Sequence, residues 1–309
     1  MIGRRPLGHW LLLIALATMW GSSFLFTKIA VASLTPTAVV AARLVIAALV
    51  LGALIVILGK RMPAERRPWL FIVAMAVTGN ALPFWLITWG QQGIDSGLAG
   101  ILMAIMPLTT LVLAHFFVAG ERLNPMRMVG FLLGFLGIVV LMGPAELLDL
   151  EGQGTVLLSE LAVLGGAVCY AVNTVIARRR PPGDAMATAA GVMLCASALM
   201  VPAAAVTPLS SAAPLAPASL AAVAVLGLVS TALATVVYLR LVSQAGAGFV
   251  SLINYLIPLW ALALGMAVLG EQPEWSALAA LIMILSGIAL SEILGRRPAP
   301  PRRSGPASR

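Results

Sequence analysis

The side chains able to do chemistry in this sequence sit inside long apolar runs, and their types suit holding a solute rather than transforming one. In "MWGSSFLFTK", Ser22, Ser23 and Thr27 precede Lys28, a cluster of hydroxyls ending in a cation that can hold a carboxylate or draw anions to a mouth. Asn80, Pro83, Phe84, Ile87 and Gln91 recur at i, i+3, i+4, i+7 and i+11, which places them on one face of a helix. Gly166, Tyr170, Asn173 and Ala177 share a second such face, and Ser251, Asn254, Pro258 and Gly265 a third, with Tyr255 beside it. Trp20, Trp85 and Trp260 stand deep enough in their runs to stack on an apolar or aromatic solute. Signs of catalysis are missing. The two histidines, His9 and His115, are far apart, no phosphate-cradling Gly-Lys-Ser/Thr loop occurs, and Cys169 and Cys195 lie within apolar runs. No metal, cofactor or enzymatic activity is expected.

The runs that carry these residues define the class of molecule. The 309 residues are 61% hydrophobic and 10% charged, with a mean hydropathy of +1.04. Soluble domains carry roughly a quarter charged residues. Ten stretches are long enough to cross about 30 Å of hydrocarbon: 10–32, 36–58, 69–90, 96–118, 126–142, 155–177, 185–206, 218–240, 247–269 and 276–294. They are continuous rather than alternating, so the expectation is an all-α polytopic membrane protein and not a β-barrel. The first run exceeds the length of a signal-peptide core and contains Lys28, so it reads as a retained helix.

Charge sets an orientation. Of 19 Lys and Arg, Lys28 and Arg43 lie inside the spans away from the basic loops, and the other 17, with Arg127 and Arg240 at span ends, fall on one side of a ten-helix topology. The positive-inside rule makes that side cytoplasmic, with both termini. The opposite loops hold Asp95, Glu146, Asp149, Glu151, Glu271 and Glu274 and no basic residue. The isoelectric point near 10.7 therefore reflects topology and not nucleic-acid binding. The tail "RRPAPPRRSGPASR", 296–309, reads as disordered and apposed to anionic headgroups.

The chain repeats itself. "IMPLTTLVLAHFFVAGE" and "LIPLWALALGMAVLGE" align Pro107 with Pro258 and Glu121 with Glu271. The same register sets Gly97 on Gly248, Met103 on Asn254, and Gly137-Ile138 on Gly287-Ile288. Five helices per copy is an odd number, so the second copy enters the membrane inverted. The expected units are 1–142, an external linker 143–154, and 155–295. Pro107 and Pro258 each remove a helical hydrogen bond at equivalent depths, and Pro83 removes one in the third span. They are hinge candidates, or else static kinks that improve packing.

These segments, with "TPTAVVAARLVIAAL" and "AVCYAVNTVIARR", resemble the EamA-type branch of the drug/metabolite transporter superfamily over about residues 10–294. The resemblance implies ten helices in two inverted halves, a central cavity and export of small metabolites, with bacterial amino-acid exporters, aromatic ones included, a well-populated branch. It places the chain in a bacterial inner membrane.

The polar positions then read as a set. The candidate cavity lining is Trp20, Ser22, Ser23, Thr27, Lys28, Asn80, Phe84, Trp85, Met103, Tyr170, Asn173, Ser251, Asn254 and Tyr255. Singly, such residues also serve as hydrogen-bonding glue between helices. Lys28 either holds substrate or snorkels, and Arg43 reads as snorkelling to the external interface. No Asp or Glu sits at the middle of a span, which favours neutral or zwitterionic solutes over lipophilic cations. The expected function is a secondary exporter of such metabolites, amino acids foremost, working by alternating access. Export of drug-like compounds is the alternative within that class, and a non-transport receptor or membrane enzyme is the alternative outside it. The lipid bilayer and a small-molecule substrate are the expected partners, with no obligate protein partner.

Overall fold

The computed structural model describes residues 6–118, 124–142, 154–210 and 214–291. Glu121, the linker residues 143–153 and the tail 296–309 lie outside them. Nine described helices are long and apolar enough to cross a membrane. They are α1 (Leu7–Val31), α2 (Pro36–Ile57), α3 (Arg66–Gly90), α4 (Ser96–Phe117), α5 (Pro125–Met142), α6 (Thr155–Arg179), α7 (Ala185–Ala205), α8 (Pro217–Ala245) and α9 (Ala247–Leu269). A shorter apolar helix, α10 (Trp275–Ala289), completes the ten. Chain chemistry sets their starts. Thr35 caps α2 through Oγ1 on the Ala38 amide with Pro36 behind it, and Asp184 caps α7 by accepting from the Ala187 amide.

The packing follows the repeat. Helices pair with their own counterparts across the pseudo-twofold axis, α2 on α7, α4 on α9 and α5 on α10, while α1 packs on α9 as α6 packs on α4. The α5–α10 seam is built from glycines. Gly130 and Gly134 face Gly287, Gly134 also meets Leu108 of α4, and Gly137 meets Ile284, so the small-residue face of α5 is spent inside the bundle.

Two spans change gauge at the same point of the repeat. Within α3, Val77–Ala81 is π-helical, and within α8, Leu226–Leu233 is. Shifting 77–81 by the 151 residues that relate Pro107 to Pro258 gives 228–232, inside the second π segment. The causes differ. In α3 the wide turn directly precedes Pro83, whose ring clashes with a carbonyl one turn back and lacks an N–H. In α8 the hydroxyl of Thr231 donates to the Leu226 carbonyl at 2.7 Å, inserting itself into the backbone ladder.

The end of the bundle where α1 finishes, here the distal end, is stitched between the two halves. Thr35 donates to Pro208 (2.7 Å) through its hydroxyl and to Leu209 (3.2 Å) through its amide, Ala216 donates to Ser33 Oγ (3.2 Å), and Ser219 to the Ile29 carbonyl (2.8 Å). At the proximal end, Lys60 pairs with Asp184 at 2.5 Å and Arg179 donates to the Phe117 carbonyl. The Lys60 ammonium beside it holds the Asp184 carboxyl below the usual carboxylate range, with the Ala187 amide adding to the effect.

Candidate functional site

A cavity of about 570 Å³ lies between α1, α2, α3, α4, α6, α7, α8 and α9. Its waist is formed where the two π segments meet it, at Gly79 and Asn80 on one side and Ser230 and Thr231 on the other. Wide turns suit such a place because they project side chains out of the regular helical register. Asn80 Nδ2 makes a long contact, 3.5 Å, back to the Met75 carbonyl, and Thr235 donates to the Thr231 carbonyl at 2.7 Å.

Ten of the fourteen candidates from the sequence line this one cavity: Trp20, Ser23, Thr27, Asn80, Phe84, Met103, Tyr170, Asn173, Ser251 and Asn254. Both Pro107 and Pro258 line it too. The other four lie elsewhere. The Ser22 hydroxyl bonds back to the Met19 carbonyl, Trp85 Nε1 donates to Thr37 Oγ1 at 3.2 Å while its ring stacks on Trp89, and Tyr255 packs into the apolar cluster around α4 and α10. Pro83 is buried beside the π turn. Trp260 is likewise no lining residue, since it fills the space over Gly21 where α1 and α9 approach.

Lys28 is the fourth, and it does a different job. Its ammonium donates to the carbonyls of Gln91 (3.0 Å) and Ile94 (2.8 Å), the turn joining α3 to α4. Gln91, fully buried, returns a bond from Nε2 to the Phe24 carbonyl at 2.9 Å. Beside this, the Glu271 carboxylate accepts from the amides of Ser96 (2.8 Å) and Gly97 (2.9 Å), the first turn of α4, where a helix N-terminus favours negative charge. The result is a seal of charged and amide groups across the distal end of the cavity. Asp95 belongs to it. Burial and then the neighbouring Glu271 carboxylate push its carboxyl above the ordinary range, against a smaller opposing pull from Lys28.

Arg43 corrects the sequence expectation most sharply. It does not snorkel to an interface. Its side chain is buried, its Nε donates to Thr231 Oγ1 at 2.7 Å, and the guanidinium lies 3.8 Å from the centroid of the Phe84 ring, in the cavity wall. The physical reason is that α8 offers an acceptor and α3 an aromatic face, partners that compensate a charge inside the bundle better than a stretched side chain can. Those partners come from other spans and carry no local signal. The polar stripe on α8, Thr231, Thr235 and Tyr238 at i, i+4 and i+7, did have one, since it follows the same spacing as the three stripes read from sequence. Tyr238 sets its ring 5.5 Å from that of Trp20 across the cavity.

The lining reaches toward the proximal end through Ala247, Val250, Tyr238 and Arg178. Among the described lining residues the charged groups are Arg43 and Arg178, and no Asp or Glu is present. Nor do the described residues bring together three or more His, Cys, Asp or Glu that could hold a metal. Such a chamber is built to accommodate a small solute with hydroxyl, amide, aromatic and cationic contacts.

Several proteins similar to this chain are named as transporters. The profile of the EamA-like transporter family matches the chain twice, over residues 8–143 and 157–293. An uncharacterized inner membrane transporter of Escherichia coli strain K12, YedA, is 26% identical over 286 residues, 91% of this chain and 90% of its own. A probable terminal-alkyne amino-acid exporter of Streptantibioticus cattleyicolor is 26% identical over 295 residues, 93% of this chain and 95% of its own. An uncharacterized transporter of Archaeoglobus fulgidus is 32% identical over 153 residues, 50% of this chain and 54% of its own. One crystal structure superposes with a TM-score of 0.65 at 21% identity, covering 95% of this chain and 99% of that one, which shows a shared fold. With ten helices in two inverted repeats around a central cavity, and a family profile that fits each half, the chain belongs to the EamA-like transporter family.

Proposed function

We propose that this transporter exports small neutral or zwitterionic metabolites, amino acids including aromatic ones foremost, across a bacterial inner membrane by alternating access. The observation that carries the reading is the cavity itself. Its volume falls within the roughly 300–1,000 Å³ of small-molecule sites. Tyr170, Tyr238 and Trp20 give it aromatic walls, and hydroxyls and amides interrupt them. Charge asymmetry supports placing the proximal end in the cytoplasm, with the Lys28–Gln91 and Glu271–Gly97 seal facing outward. A cavity that reaches the cytoplasmic side while sealed outside is the loading state an exporter requires. The amino-acid exporter among its relatives supports the substrate class.

The test is flux. The purified chain is reconstituted in liposomes and efflux of labelled amino acids is followed with and without a pH gradient. Efflux above protein-free vesicles for at least one neutral amino acid is the expected result, and none for any member of the panel refutes the substrate class. Coupling is read from the same traces, since the described lining holds no carboxylate to carry a proton.

A further inference from the structure

We infer that Arg43 is the anchor for a carboxylate, so that the transported solutes share an anionic group whatever the rest of their structure; the inference rests on the exporter reading and names the chemistry its site selects. Arg43 is 7% exposed, and a charge so placed costs several kcal/mol unless it is compensated. What compensates it here is incomplete. A guanidinium has five N–H donors in a planar fork. Nε is used on Thr231, and the ring of Phe84 covers one face. The two Nη groups make no hydrogen bond to any described residue, yet they are not among the polar atoms sealed away without a partner. They therefore open onto the cavity, whose described lining offers them no Asp or Glu.

Those two Nη groups and the fixed plane suit one ligand chemistry above others. A carboxylate accepts two parallel N–H bonds from a guanidinium edge, and such bidentate pairs are the strong ones in a medium of low dielectric. Thr231 holds the Nε edge, and Thr231 in turn is fixed by its bond to the Leu226 carbonyl inside the π segment, so the fork is aimed before any solute arrives. Phe84 under the guanidinium restrains its remaining rotation.

The repeat separates this role from a merely architectural one. Residues the inverted fold itself requires recur in both halves, as Pro107 and Pro258 do, or are replaced by an equivalent device, as in the two π segments. In this helix pair the caps Thr35 and Asp184 and the buried faces match at a spacing of 149 residues, which sets Val192, uncharged and 4% exposed, on Arg43. The second half builds the same helix without a cation. Arg43 is therefore a cation that the repeated architecture does not itself require.

The experiment compares acids with their amides. Wild-type protein, Arg43→Gln and Arg43→Lys are titrated with L-leucine and L-phenylalanine, with the corresponding amides, and with 4-methylpentanoate and 3-phenylpropionate, which keep the acid and lack the amine. Binding is read from tryptophan fluorescence, because Trp20 lines the cavity, and flux is read in liposomes. The wild type should bind the acids at least about 10-fold more tightly than the amides, and Arg43→Gln should weaken the acids by roughly 10- to 100-fold while leaving the amides where they were. Arg43→Lys, which keeps the charge and loses the fork, should fall between. Acids and amides bound and moved alike by the wild type, or acids bound alike by wild type and Arg43→Gln, overturn the anchor and leave the exporter reading standing. Movement of 4-methylpentanoate but of no amino acid, with the same dependence on Arg43, keeps the anchor and removes amino acids as substrates. If Arg43→Gln fails to fold, Arg43→Lys decides: acids bound as tightly as by the wild type overturn the anchor, and a selective loss for acids over amides keeps it.

Discussion

Helices α3 and α8 reach the same shape by different residues, whereas α4 and α9 carry the same proline and reach different shapes. In the first pair a proline on one side and a threonine hydroxyl on the other each open a π segment, at positions 151 residues apart. In the second pair, α4 breaks at Ala104–Ile105, just before Pro107, while α9 runs unbroken through Pro258 and breaks earlier, at Ser251–Leu252. The equivalent of the α4 break, 255–256, is helical in α9. What repeats faithfully is therefore the pair of π segments in the cavity wall, and what differs is where α4 and α9 break. Under the proposed alternating access, this gives a constant site between two gates in unlike states.

The gates differ in the same sense. Gly97, in the first turn of α4, sits under Glu271 and Leu262, whereas a Cβ built on Gly248 would touch none of the described residues. Lys28 closes the α1 end onto the α3–α4 turn, while at the other end of the bundle Arg179 of α6 bonds Phe117.

Breaking the distal gate should have the largest effect. Glu271→Ala removes two charge-assisted hydrogen bonds, a loss of roughly 2–4 kcal/mol, and should speed hydrogen exchange of the 94–101 segment while abolishing directional efflux. Unchanged exchange there would mean that the carboxylate seals nothing. Next come the paired glycines. In Gly97→Ala the new Cβ meets Leu262 Cδ1 at 3.2 Å and Glu271 Oε2 at 3.3 Å, so melting should fall by an amount equivalent to about 1–2 kcal/mol. Gly248→Ala should stay within about 0.5 kcal/mol in stability yet slow efflux, because the proximal gate must still close over it. Equal destabilisation by both would erase the asymmetry.

The prolines should separate more weakly. Pro258 lies inside its helical segment, where proline costs about 3 kcal/mol, so Pro258→Ala should stabilise α9 and reduce flux. Pro107 lies in the first turn of its segment, where proline is tolerated, and Pro107→Ala should change stability little. Unaltered flux in both variants removes the hinge from the mechanism. The smallest effect concerns pH. Asp95 is raised above the ordinary carboxylate value, so in the window just above about pH 4 the folded chain binds more protons than the unfolded one and stability declines as pH rises. The penalty is fully present once the pH exceeds the raised value. Asp95→Asn should flatten this part of the melting profile and raise the melting temperature slightly at neutral pH. Asp184→Asn, with a depressed carboxyl, should do the opposite, losing stability that is present above the ordinary value and fades as pH falls.

Sequence alone determined the spans, the doubling and most of the wall of the cavity. Each rests on local information: about twenty apolar residues are what hydrocarbon demands, and polar side chains at helical spacing must turn away from lipid. For the same reason Tyr170, Asn173, Asn80 and Asn254 were legible from spacing, and the α8 stripe could have been. Tertiary structure decided what each charge does. Lys28 and Arg43 look alike in sequence, single cations in apolar runs, yet one is satisfied by carbonyls of a turn 63 and 66 residues away and the other by a hydroxyl 188 residues away. It also decided where the paired prolines let their helices break. A proline only weakens one rung of the ladder, and the contacts each half makes with the other determine which neighbouring rung gives way.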